Sequence, residues 1–115
     1  MAKYEYAFKG QFDHFLDHLH QDITRGSLSA TFEDGSDRTF NGMRVAVRVY
    51  ERYSMIGSNR VSLNITLVGS GTDLFISAIT SGGSQAVFFK INTLGEESFL
   101  DACEQSVRRY VDGQN

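Results

Sequence analysis

Proline does not occur in this chain, and cysteine occurs once, as Cys103. Without proline, every break between elements falls to Gly, Asn, Asp and Ser, so those residues mark the boundaries. A single cysteine excludes an internal disulfide and suits a reducing cytoplasm, which is the expected compartment. With no CxxC pair and three histidines, no structural zinc site is expected, and no cofactor. There is no run of about 18 apolar residues, so no membrane-spanning helix is expected. The opening Met1-Ala2-Lys3-Tyr4-Glu5-Tyr6 alternates like a strand and does not read as a signal peptide. Also missing are GxSxG, HExxH, the P-loop spacing and a glycine-rich dinucleotide fingerprint, so no catalytic residue is assigned.

What is present suits one domain over residues 1–115, with 41% hydrophobic and 22% charged residues. The net charge of −3 argues against a dedicated nucleic-acid protein. That charge is uneven. Between Arg38 and Arg60 five arginines face one glutamate, Glu51, whereas Glu96–Asp112 is mostly acidic.

Tyr4, Tyr6 and Phe8 alternate with Glu5 and Ala7 as a first strand, ended by Gly10. Phe12, Phe15, Leu16, Leu19 and Ile23 then form an apolar stripe at helical spacing over 11–24, with Gly26 as its stop. Leu28, Ala30 and Phe32 predict a half-buried strand, Asp34-Gly35-Ser36-Asp37 a turn, and Asn41-Gly42 a bulge. Strands follow over Met43–Tyr53, Arg60–Val68, Thr72–Thr80 and, after Gly82-Gly83, Gln85–Ile91. Thr93-Leu94-Gly95-Glu96 reads as a capping box with Thr93 as N-cap, opening a helix whose stripe includes Phe99, Cys103, Val107 and Tyr110. The expected architecture is α+β, a curved antiparallel sheet of about five to six strands with both helices on one face. Its order, β-α-β4/5-α, is similar to TATA-binding-protein-like and helix-grip folds, an analogy that sets no function.

Turn chemistry then predicts the register. A loop centred on Ile56 and Gly57 pairs Val45 with Leu67, Val47 with Ile65 and Val49 with Leu63. Ser70-Gly71 as a turn pairs Leu67 with Leu74 and Ile65 with Ile76, and Gly82-Gly83 pairs Ile76 with Phe89. The sheet face away from the helices is then expected to carry Arg44, Arg48, Tyr50 and Arg52, with Asn64, Phe75, Ile79 and Phe88. It is too apolar for open water, and Arg52 falls opposite Arg60, a like-charge contact that wants an anion between. Two readings follow. In one, the face is a homodimer interface; in the other, Arg44, Arg48, Tyr50, Arg52, Asn64, Phe75 and Phe88 hold a small anionic, partly apolar ligand. A non-enzymatic binding or assembly module is the first reading and the ligand-binding protein its alternative.

Asp13, His14, Asp17, His18 and His20 form the one metal-like cluster, but on the polar side of the first helix, where a solvated face is the plainer account. Cys103 lies on an apolar stripe and reads as a buried structural thiol.

The runs Arg48-Val-Tyr-Glu-Arg-Tyr53, Asn59 to Gly69, Asp73 to Ala86, Phe88 to Thr93 and Gly95-Glu-Glu97 resemble a family of small uncharacterised proteins from Gram-positive bacteria, catalogued as a domain of unknown function. The likeness covers about half the chain. It implies a bacterial cytoplasmic protein and supplies no catalytic residues.

Overall fold

The computed structural model describes residues 1–26, 30–54, 59–82 and 89–114. In order these form β1 (Ala2–Lys9), α1 (Phe12–Arg25), β2 (Thr31–Phe40), β3 (Met43–Ser54), β4 (Asn59–Ser70), β5 (Asp73–Gly82) and α2 (Phe89–Gly113). The strands make one open antiparallel sheet in the order β1-β5-β4-β3-β2. This is the expected α+β class, with two helices over one face and, among the described residues, nothing packed over the other. No helix among the described residues is long and apolar enough to cross a membrane.

α1 starts where the sequence places it. The Gln11 side chain accepts the His14 N–H at 2.7 Å, and Asp13 and Arg25 sit at the ends that suit the helix dipole. Its stripe of Phe12, Phe15, Leu19 and Ile23 is buried, and α2 adds Phe99, Cys103, Val107 and Tyr110. Both stripes pack on Leu63, Ile65, Leu67, Leu74, Ile76 and Ala78 of the central strands. Polar pins join the helices. Asp22 accepts from Ser106 at 2.6 Å and from Arg109 at 2.9 Å, and the Gln11 N–H donates to the Tyr110 hydroxyl at 3.1 Å.

Several expectations are corrected. Asp34–Asp37 is not a turn, because β2 runs straight through it, and Gly35 lies opposite Arg48 in the ladder. The turn is Asn41-Gly42, with φ of +52° and +78°, the left-handed pair that a tight two-residue hairpin needs. The irregularity expected at Asn41-Gly42 sits instead between Phe32 and Asp34. The β4–β5 turn is Gly71-Thr72, with Gly71 at φ +60°, so Leu67 meets Ile76 and Ile65 meets Ala78. That slip of two residues keeps every side chain on its expected face. The β3–β4 slip is one residue: Val45 pairs with Val68, Arg48 with Ile65 and Tyr50 with Leu63. A one-residue slip turns all of β3 over.

The strand expected at Gln85–Ile91 is also corrected. Residues 85–88 lie outside the described residues, but Phe89–Ile91 open α2, and Thr93 is inside that helix, not its N-cap. A short apolar run fits helix or strand equally, and β1 takes the free edge of β5 instead.

Gly69 permits a close approach in the core. A Cβ there would stand 2.6 Å from Phe12 Cδ2 and 2.9 Å from Leu74 Cδ2. Gly69→Ala should therefore push α1 off β4 and cost about 1–3 kcal/mol, read as a lower denaturant midpoint at unchanged slope.

Candidate functional site

Because β3 is turned over, its even residues face the helices. Ala46 and Tyr50 are fully buried. Arg44, Arg48, Tyr50 and Arg52 are therefore not on the bare face, as expected, but on the helix-covered side. Long arginine stems tolerate this position because their apolar carbons bury while the guanidinium finds partners. Arg44 donates to Asp13 at 2.8 Å and lies 4.2 Å from the Phe12 ring centroid. Arg48 donates to Asp37 at 3.0 Å and to the Val47 carbonyl at 2.9 Å. It lies across Gly35, where a Cβ would meet its Cδ at 3.0 Å. Arg52 stands 5.9 Å from the Phe99 ring centroid, and its Nη1 is buried without a hydrogen-bond partner. The expected Arg52–Arg60 opposition does not occur: Arg52 pairs with Val61, and Arg60 binds Glu51 at 2.8 Å.

The Tyr50 hydroxyl lies 2.8 Å from His20 Nδ1, and Phe32 sets its ring edge against both residues. Burial pushes the Tyr50 phenol up to about 12, against a smaller pull from Arg48, so it stays protonated at neutral pH. His20, Arg48, Leu16, Asp13 and Asp17 line a surface cleft of about 300 Å³ between α1 and the sheet. Its two arginine neighbours are already held by Asp13 and Asp37, so the cleft offers an anion no unengaged guanidinium.

The histidines of the metal-like cluster diverge. His14 lies beside Tyr110, His18 Nε2 donates to the Ser106 carbonyl at 2.9 Å, and His20 faces Tyr50. Among the described residues no three His, Cys, Asp or Glu side chains converge on a point that could hold a metal. Cys103 is buried, and burial raises its thiol to about 12, which keeps it protonated and unreactive.

The bare face carries what turning β3 over put there. Val45, Val68, Phe75 and Ala7 stand directly opposite one another, an apolar row across four strands. Alongside it runs Val47 with Thr66 and Ser77, then Val49 with Asn64 and Ile79. Phe75 is 39% exposed, Ile79 37% and Met43 43%, which for large apolar side chains is bare surface. Of the residues expected here, Asn64, Phe75 and Ile79 are in place, and Phe88 lies outside the described residues. The valines were missed because Val45-Val47-Val49 reads as a core strand as readily as Ala46 and Tyr50 do.

Residues 1–111 match a family of unknown function, DUF6054. The chain belongs to this family. The match covers both helices' packing faces and the whole sheet, so the bare face is part of the DUF6054 domain itself. No curated protein and no solved structure matches the chain.

The raised phenols set a pH dependence. Tyr4, like Tyr50, is pushed to about 12, chiefly by burial. An unfolded chain releases these protons near 10 and the folded one near 12. Stability should therefore hold up to pH 10 and fall between 10 and 12, read from denaturant midpoints beside a phenolate absorbance titration. Tyr50→Phe should remove part of that fall and cost about 1 kcal/mol at neutral pH through the lost His20 bond.

Proposed function

We propose that this DUF6054 chain is a non-enzymatic binding or assembly module that pairs with a second copy of itself through the bare sheet face. The observation that carries the reading is the apolar row of Val45, Val68, Phe75 and Ala7 on a face that no helix among the described residues covers. A solvated antiparallel face ordinarily alternates polar residues outward. Here valines, Phe75 and Ile79 are interspersed with the uncharged Thr66, Ser77 and Asn64, and charges gather at the margins. Lys3, Glu5 and the Lys9–Asp73 pair lie on one side, Arg38 and the Glu51–Arg60 pair on the other. An uncharged, partly apolar centre with a charged rim is the anatomy of a protein interface.

Size supports the same reading. Five strands about 4.8 Å apart, taken at the eight residues of the shortest and about 3.3 Å per residue, span roughly 630 Å² in projection, before side-chain relief is added. That approaches the roughly 800 Å² per partner of a standard interface. Two such faces can stack as sheets do, about 10 Å apart. In support of the non-enzymatic part, Tyr50 and Cys103, two buried groups that could act as nucleophiles, are both held protonated.

Light scattering on a size-exclusion column should give a mass that rises with concentration from 12.9 kDa toward at least twice that value. Phe75→Arg and Val47→Arg should each lower it while leaving the melting temperature within a few degrees, since both positions lie on the bare face. A wild-type chain whose mass neither variant changes would sink the face-to-face reading.

A further inference from the structure

The sheet has two end strands, β1 and β2, and they are built differently. β2 carries features that turn an incoming strand away. Its ladder breaks between Phe32 and Asp34, the Asp34 carboxylate takes the Gly35 N–H at 2.8 Å, and all ten of its residues are exposed, among them Glu33, Asp34 and Asp37. β1 lacks the ladder break. Eight consecutive residues pair with β5 without a break, and the strand contains no glycine.

One end of β1 is closed. The Gln114 side chain donates to the Lys9 carbonyl at 2.9 Å, and Lys9 is paired with Asp73. The other stretch, Ala2 to Tyr6, has no strand outside it among the described residues. Next to it is a cleft of about 370 Å³ lined by Tyr4, Tyr6, Arg108, Val111 and Asp112.

We propose that this edge joins the same edge of a second copy, antiparallel, about a twofold axis at Tyr4, so that two sheets become one. The argument is the self-complementarity of Lys3-Tyr4-Glu5. Lys3 and Glu5 share the bare face and lie 3.9 Å apart within the strand. In this register Lys3 stands opposite the partner's Glu5, and Glu5 opposite the partner's Lys3. On the helix side Ala2 meets the partner's Tyr6 and the two Tyr4 rings meet at the axis. There the adjoining clefts leave the rings room.

Other registers that keep the faces matched are worse. Sliding one copy by two residues places Glu5 on the partner's Glu5, and by four places Lys3 on the partner's Lys9. Like charges directly opposed across a ladder are unfavourable. Sliding by six restores a Glu5–Lys9 match, but there the Lys9 carbonyl and ammonium already have partners. The edge contact uses neither Val47 nor Phe75, so it stands apart from the face-to-face pairing and can coexist with it.

The test is a charge swap in the Val47→Arg background, which disables the bare face, read by sedimentation equilibrium over a concentration series. Lys3 and Glu5 side chains are 60% and 44% exposed, so exchanging them leaves the fold intact. Self-association should persist in Val47→Arg alone. Adding Lys3→Glu or Glu5→Lys should weaken it about tenfold, since two attractive pairs become two repulsive ones. Adding both should bring it back to within about twofold, since the pairs are then re-formed with signs exchanged. A Val47→Arg chain that is monomeric at every concentration overturns the proposal, as does a double swap no tighter than the single ones. If the face-to-face reading itself is wrong, Val47→Arg leaves the wild-type mass unchanged, and the swap still reports on the edge.

Discussion

Arg44 lies opposite Gly69 and Val45 opposite Val68, and the distribution of chemistry over the molecule follows from that single register. It sends Ala46 and Tyr50 under the helices and lifts Val45, Val47 and Val49 onto the bare face. Had β3 been displaced by one residue, the face would be a basic strip of arginines, and the core would have three valines in place of a tyrosine and an alanine. The observed register gives Arg44, Arg48 and Tyr50 partners within the protein. Asp13, Asp37 and His20 each engage a β3 side chain that would otherwise point into water. The valines left outside are the cost.

The helical layer is held to this arrangement by a few polar contacts within a largely apolar core. Asp22 of α1 gathers Ser106 and Arg109 from α2. Its burial works to raise the carboxyl, and the hydrogen bonds from Ser106 and Arg109 together with the charges of His18 and Arg109 outweigh that and hold it below the ordinary carboxylate range. At the other end Tyr110 reaches the N-cap of α1, and its ring lies edge-on to Phe15. These contacts set how α1 and α2 lie against each other. Apolar packing alone would leave that angle loosely determined, because burial is non-directional.

The sheet is open, so both its edges and one of its faces must be accounted for. β2 protects its own edge with a ladder break and acidic side chains, whereas β1 relies on alternating lysine and glutamate. Alternating charge is costly to desolvate against a neutral strand and is complementary to an antiparallel copy of itself. An apolar face and a self-complementary edge on one small DUF6054 domain both fit a protein whose work is assembly.

Much of the fold was legible in the sequence. The stripe from Phe12 to Ile23, the alternation of Tyr4 and Phe8, and the glycine turn near Gly71 are local signals, and each needs only its own neighbours to act. Even the misplaced turn between β4 and β5 kept the right face, since a slip of two residues preserves parity. The candidate surface was not legible. In Met43–Tyr53 both parities carry residues that suit a core, valines on one and alanine with tyrosine on the other, so periodicity alone does not say which is inside. Likewise the run before Thr93 fits helix or strand, and only the docking of β1 on β5 removes the need for a further strand there. What the chain determined by itself was the apolar stripes of the two helices, most of the strands and that the sheet has a bare side. Which residues stand on that side was decided by tertiary pairing, because partners for Arg44, Arg48 and Tyr50 come from α1 and β2, distant in sequence and adjacent only in the folded sheet.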